Sequence, residues 1–211
     1  MGSIKGIVFD MDGTLLDSSS VLIAAWYSAL SKFSDSVQMA DVSKAVKEST
    51  PSDTLVRMFI QDAGPETISE VKKLRANAAA DRLSPSLLFD GVTNTLRSLR
   101  ISGIKLAIAT GMSHDLLDIV IKSTGLEKLV DVVISSDDVI HGKPAPDVAL
   151  EAFRRIGVDP KEGMVVGDSE NDVLSGKAAH AATALVSANK EIKTSADFII
   201  GEVRDIFSII T

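Results

Sequence analysis

From about residue 88 onward, short apolar runs alternate with amphipathic stretches. The runs Lys105 to Thr110, Val130 to Ser135, Met164 to Gly167, Ala184 to Ser187 and Asp197 to Ile200 are bounded by polar residues or glycine, as strands buried on both faces should be. Between them, helical periodicity is read over Thr93 to Ile101, Asp115 to Ser123, Asp147 to Ile156 and Glu170 to Ala179. Gly103, Gly125 and Gly157 stand where three of these patterns end, at the place for a left-handed cap. Asp159-Pro160 marks a turn before the next strand. Such alternation predicts a parallel sheet with helices on both faces.

The opening run, Ile4 to Phe9, belongs to the same sheet by its character, yet no strand pattern follows it before residue 88. The intervening segment reads instead as helices over Val21 to Phe33, Asp41 to Ser49, Asp53 to Ala63 and Glu66 to Leu83. Gly64-Pro65 is expected to end one helix and begin the next, and Ser84-Pro85-Ser86 to serve as a hinge back into the sheet. The predicted fold is therefore α/β: a Rossmann-like parallel sheet with helices on both faces, and a small all-helical module inserted after the first strand. The corresponding domains are an α/β core of residues 1–17 and 85–211 and a helical module of residues 18–84. The chain shows no internal repeat and no low-complexity tract.

Composition narrows the class. The 211 residues are 45% hydrophobic and 24% charged, which fits a globular fold with a substantial core. The formal net charge of -7 supplies no general basic surface for nucleic acid or an anionic membrane. With no cysteine there is no disulfide, thiolate zinc site or iron–sulfur cluster. The start lacks a signal-peptide run, Gly6 stands where a myristoylation motif wants Ser or Thr, and no apolar run approaches the ~20 residues of a membrane span. The expectation is a soluble, cytoplasmic monomer or homodimer, with no nucleic-acid or membrane partner.

Four segments carry the chemistry. The first is Asp10-Met11-Asp12-Gly13-Thr14, directly behind the apolar Ile7-Val8-Phe9. Residues two apart on a strand share a face, but here the strand should be ending, and Gly13 makes a sharp turn cheap. The result is an anionic pocket at a strand's carboxyl end, where open α/β sheets place their ligands. The second segment, Ile108-Ala109-Thr110-Gly111, delivers a hydroxyl at a strand end, and Ser113 stands ready to cap the next helix; by itself it reads equally as a turn. In the third, Gly142-Lys143-Pro144-Ala145-Pro146, two prolines fix the backbone around one lysine. The fourth, Val165-Val166-Gly167-Asp168-Ser169-Glu170-Asn171-Asp172, brings a second strand-end carboxylate and another one helical turn on. Either acid alone would be accounted for as a helix cap.

Gathered at one sheet edge, Asp10, Asp12, Asp168 and Asp172 repel. Two unit charges ~4 Å apart cost ~4 kcal/mol at an effective dielectric of 20, and Lys143 alone does not offset several such pairs. An all-oxygen, cysteine-free site suits Mg²⁺. The chemistry that needs Mg²⁺, a carboxylate nucleophile and a second carboxyl group nearby is phosphoryl transfer through an aspartyl phosphate.

In order and spacing the four segments resemble the four motifs of the haloacid dehalogenase superfamily, across the first seventeen residues and most of 88–200. The resemblance implies that Asp10 is the nucleophile and Asp12 the general acid and then base. Thr110, Gly111 and Lys143 would hold the transferring phosphoryl group. Mg²⁺ would be bound by Asp10, the Asp12 main-chain carbonyl and Asp168, with Asp172 in support. Asp12 points to the phosphatase side of the superfamily, because an alkoxide needs a proton on leaving and a halide does not. The helical insert is similar to the small cap of the phosphoglycolate phosphatase and β-phosphoglucomutase branch, where caps exclude water and choose the substrate.

The chain departs from the pattern in two places. Gly111 replaces the usual asparagine, and Ala179-His180-Ala181 replaces the usual Ala-Gly-Met, which is taken as a matter of packing. In the insert, Trp26, Ser52, Asp53 and Arg57 are the candidates for substrate choice, against core packing for Trp26 and its neighbour Tyr27. Lys44 and Lys47 read as helix-surface lysines rather than the Schiff-base lysine of the phosphonate-cleaving branch, and His114 and His141 as solvated loop residues. The implied activity is Mg²⁺-dependent hydrolysis of a phosphate monoester of the phosphoglycolate or sugar phosphate type. A β-phosphoglucomutase-like mutase would use the same residues. A phosphorelay receiver does not fit the Asp-x-Asp pair after the first strand, and a catalytically dead binding protein does not fit a complete set of acids, hydroxyl and lysine.

Overall fold

The computed structural model describes residues 3–47, 50–80, 82–84 and 87–210. Six strands form one wholly parallel sheet: β1 (Gly6–Phe9), β2 (Lys105–Ala109), β3 (Val132–Ile134), β4 (Gly163–Gly167), β5 (Ala182–Val186) and β6 (Phe198–Ile200), in the spatial order β3-β2-β1-β4-β5-β6. Each predicted run is a strand, trimmed or shifted by one or two residues at its ends. The strands at the centre of the sheet are continuous apolar runs because both their faces are covered. Val8, Ala107 and Val165 face Val148, Ala149, Ala152 and Phe153 of helix α7 (Asp147–Ile156). Their neighbours Ile7, Leu106, Ile108, Met164 and Val166 alternate to the opposite face and are equally buried. Helix α5 (Val92–Ile101) packs on β2, and α8 (Glu170–Ala178) on β4 and β5.

The chain divides into two compact units. The first comprises Met1–Asp17, Ser86–His114 and Gly125–Thr211 and holds the sheet. The second comprises Ser18–Pro85 and Asp115–Thr124. It contains α1 (Ser19–Leu30), α2 (Met39–Lys47), α3 (Ser52–Phe59), α4 (Pro65–Ala80) and all but the first residue of α6 (His114–Thr124). Its core is apolar and self-contained: Trp26, Leu30, Val42, Leu55, Val56, Ile68 and Val71 are all buried in one cluster.

Two expectations change here. Gly64 does not cap α3, which ends at Phe59 when Ile60 takes an extended conformation; a turn separates them, and Gly64 leads into α4, with Pro65 at its first position. His180 is more than a packing choice. It has φ +62 and sits just past α8, with His180 N bonded to Lys177 O and Ala181 N to Gly176 O. That is the left-handed cap that ends many helices, and glycine fits it best because it lacks a Cβ. Gly103, Gly125 and Gly157 have φ +83, +74 and +69, as their positions predict. Ser49, Pro85 and Ser86, and with them most of the expected hinge, lie outside the described residues.

Candidate active site

The sheet order places β1 between β2 and β4, so three neighbouring strands end side by side. Phe9 is level with Ile108 on one side and Val166 on the other. The next residues along are Asp10, Ala109 and Gly167. Asp10 N extends the ladder by donating to Val166 O at 2.8 Å, which fixes the backbone that carries its carboxylate.

Lys143 arrives from the loop before α7 and meets this edge with its ammonium. Nζ lies 2.6 Å from Asp10 Oδ1, 2.7 Å from the Ala109 carbonyl and 2.6 Å from Asp172 Oδ1. The side chains of Lys143, Asp10 and Asp172 are 12%, 11% and 3% exposed, so the three charges interact with little screening by water. Burial pushes the Asp10 carboxyl well above its ordinary range; the charges of Asp172 and Asp12 add to this, and Lys143 opposes it. Burial alone would weaken the Lys143 ammonium, but Asp10 and Asp172 outweigh it and hold that group above its usual range. Asp168 completes the group. Partial burial and the Asp172 charge push it up to about 6.

Oxygens of Asp10, Asp168 and Asp172 all lie within 4.8 Å of one another. One ammonium serves three clustered carboxylates, and burial together with neighbouring negative charge raises Asp10 and Asp168. The donor set is entirely oxygen, so the residues present fit Mg²⁺.

Two glycines make this crowding possible. Gly13 turns the chain at φ +83, and a Cβ placed there would lie 2.1 Å from Asp168 Oδ2. A Cβ on Gly167 would lie 2.3 Å from both Cβ and Cγ of Asp172. The turn at Gly13 is closed by Gly13 N to Leu16 O at 2.8 Å and Leu16 N to Met11 O at 2.9 Å. Asp12 lies half-buried on this turn, its backbone bridged to Leu16, and its charge is felt by both Asp10 and Asp168.

Asp172 combines the cap reading with a place in the site. Its Oδ2 accepts from Ser169 N at 3.2 Å and from the Ser169 hydroxyl, while Ser169 Oγ accepts from Asp172 N. This reciprocal box starts α8 and leaves Oδ1 for Lys143. Ser169 is thus a positioning residue that sequence reasoning missed; its signal was a serine three residues before an acid at a helix start.

Thr110 is buried at the end of β2, its hydroxyl accepting from Met112 N at 3.1 Å, with Gly111 exposed beside it. Ser113 immediately precedes α6. His114 and His141 are exposed and paired with Asp138 and Asp147 at 3.6 and 3.1 Å.

The helical candidates belong to the second unit. Trp26 is 5% exposed, and Arg75, which sequence reasoning passed over, lies 4.5 Å above its ring. Ser52 accepts from Arg75 at 3.4 Å, and Asp115 pairs with Arg75 at 3.2 Å. Asp53 pairs with Lys72 at 2.7 Å, and Arg57 is exposed. A buried arginine at helical spacing looks like any surface arginine in sequence. Only the apolar surroundings of α4 distinguish it.

The family description "haloacid dehalogenase-like hydrolase" matches residues 7–186, from β1 to β5. The chain belongs to this family. It is an enzyme, a hydrolase of the phosphatase kind. Pyrophosphatase PpaX of Bacillus velezensis is 30% identical over 196 residues, covering 87% of this chain and 83% of that protein. In fold, the chain is similar to CbbY from Rhodobacter sphaeroides, solved in complex with phosphate, with a TM-score of 0.82, 20% identity and 96% of each chain covered. It is also similar to β-phosphoglucomutase from Clostridium difficile, with a TM-score of 0.81, 16% identity and coverage of 96% of this chain and 93% of that one. For a haloacid dehalogenase-like hydrolase, a parallel sheet with a helical unit after its first strand is thus shared with both structures.

Proposed function

We propose that this phosphatase hydrolyses a small phosphate monoester, of the phosphoglycolate or sugar phosphate type, through an aspartyl-phosphate intermediate on Asp10. The observation that carries the reading is the convergence of Asp10, Asp168 and Asp172 on one another and on Lys143. An Asp10 carboxylate oxygen forms a bond to phosphorus as the bond to the leaving oxygen breaks, and Asp12 gives that oxygen its proton. Water then attacks the phosphorus, passes its proton to Asp12, and frees Asp10 and inorganic phosphate. Lys143, the Thr110 hydroxyl and the Gly111 backbone hold the transferring group, and Lys143 also fixes the nucleophile's orientation. Asp10, the Asp12 main-chain carbonyl and Asp168, with Asp172 in support, would hold Mg²⁺, which would supply positive charge to the phosphoryl oxygens.

Residues 18–84 then form the cap that selects the substrate, and residues 1–17 and 85–211 the catalytic core; the helical unit's own apolar core supports this reading. A second reading, inorganic pyrophosphate as substrate, is favoured by the pyrophosphatase name of the Bacillus velezensis relative. A phosphate-release screen over an aryl phosphate, phosphoglycolate, hexose phosphates and pyrophosphate, with isomerised product measured alongside, separates these outcomes. Release should require Mg²⁺, stop with chelator and fall at least ~1,000-fold in Asp10→Asn. Asp12→Ala should accumulate phosphoenzyme. Turnover that survives Asp10→Asn overturns the covalent mechanism.

A further inference from the structure

Beside the proposed phosphate-holding residues lies a short turn with no role in the mechanism above. It follows β3 and runs Ser135-Ser136-Asp137-Asp138, with Ser135 wholly buried. Ile134, at the end of β3, and the first three residues of this turn bond to alternate residues of the loop after β2. Ile134 O accepts from Thr110 N at 3.0 Å. The Met112 carbonyl accepts twice, from Ser135 Oγ at 2.8 Å and from Ser136 N at 3.2 Å. Asp137 Oδ2 accepts from His114 N at 2.9 Å.

The turn is itself held rigid. Ser135 Oγ accepts from Asp137 N at 3.1 Å, and Ser135 N donates to Asp138 Oδ2 at 2.8 Å. Asp138 is anchored in turn by Arg155 at 3.1 Å. Regular β2–β3 pairing ends at Ala109–Ile134, so these bonds continue the registration of the two segments beyond the sheet.

We infer that Ser135 and Asp137 are positioning residues for the phosphate-holding loop. They set the backbone of residues 110–114 so that the Thr110 hydroxyl and the Gly111 backbone present a fixed curve to a phosphoryl group. The inference rests on the reading of Thr110 and Gly111 as phosphate ligands. Neither positioning residue touches the substrate. Ser135 acts through the Met112 carbonyl, and Asp137 through the His114 amide at the first turn of α6.

The test is binding of inorganic phosphate, measured calorimetrically in the presence of Mg²⁺, with kcat and KM for an aryl phosphate. Ser135→Ala, Asp137→Ala and Asp137→Asn are made in the full chain. One neutral hydrogen bond corresponds to roughly two- to tenfold in an equilibrium. Ser135→Ala, which disturbs two bonds, should raise the phosphate Kd about tenfold and lower kcat/KM as much. Asp137→Ala should give about threefold, and Asp137→Asn, which keeps an acceptor oxygen, less. A role confined to folding would lower the melting temperature and leave the phosphate Kd of the folded protein unchanged, and that result overturns the inference. Asp137 is exposed, so its variants decide the question if Ser135→Ala does not fold. Wild-type protein that fails to bind phosphate overturns the underlying reading of the loop and the inference with it. Wild-type binding with unaltered variants overturns the inference alone.

Discussion

The two units use buried charge in opposite ways. At the sheet edge, three carboxylates and one ammonium are forced together by strand register and by glycines that leave no room for a Cβ. The charges there do not balance. In the helical unit the buried cation is Arg75, and it is met by the Asp115 carboxylate, the Ser52 hydroxyl and the Trp26 ring. An imbalance held in place by backbone is one that a divalent cation could offset. A charge met by a carboxylate, a hydroxyl and a ring is a structural clamp. The difference teaches that burial of a charged group says little until its partners are counted.

The comparison breaks most visibly if the sheet-edge geometry is not backbone-imposed. Gly13→Ala places a methyl against Asp168 and forces alanine to φ +83, and Gly167→Ala drives one into Asp172. Both should lower kcat/KM about 100-fold, the effect of an ångström-scale misplacement, with a falling melting temperature. Near-wild-type turnover in either would show that the loops reshape freely. Arg75→Met sharpens the other side. It should cost about 1–3 kcal/mol in denaturant unfolding, less than a fully buried pair because Asp115 keeps 34% of its exposure. Hydrolysis of a small aryl phosphate by the folded variant should change far less. Loss of that activity would make Arg75 part of the chemistry.

A smaller effect of opposite sign is expected at His180. His180→Gly relieves a left-handed conformation and should stabilise the protein by about 1 kcal/mol in thermal or denaturant unfolding. The smallest concerns Glu151, which Arg154 and Arg155 lower to about 2 by hydrogen bonds at 2.7 Å. A lowered folded-state value stabilises above the ordinary carboxylate range and is lost as the pH falls through about 2. Glu151→Gln should therefore cost under ~1 kcal/mol at neutral pH, because the pair is solvent-screened, and progressively less as the pH falls toward and below 2. A difference that persists in acid would assign the effect to packing.

The α/β unit was legible because its strands are apolar runs closed by polar punctuation, and because each chemical group follows a strand. Asp10, Thr110, Asp168 and Asp172 are placed by chain order, which sequence displays directly. The connections between groups were not legible. Nothing in Ser135-Ser136-Asp137 announces a bond to the Met112 carbonyl, because hydroxyl partners depend on strand order rather than spacing. His180 was misjudged as packing because handedness leaves no mark on a non-glycine residue. The helical unit yielded its helices but not their roles: Trp26 and Ser52 stood out by residue type, whereas Arg75, which joins them, did not.

The central position of β1 has a consequence for how the protein comes into being. Ile7 pairs with Leu106 on one side and Met164 on the other, so both partners of this strand lie far along the chain from it. Non-local closures of this kind slow folding and leave early intermediates with unpaired strand edges. The Asp10 turn likewise waits for Lys143, Asp168 and Asp172, which lie far along the chain from it. The enzyme's acidic centre is thus complete only when β1 lies between β2 and β4, with Lys143 and the start of α8 in place.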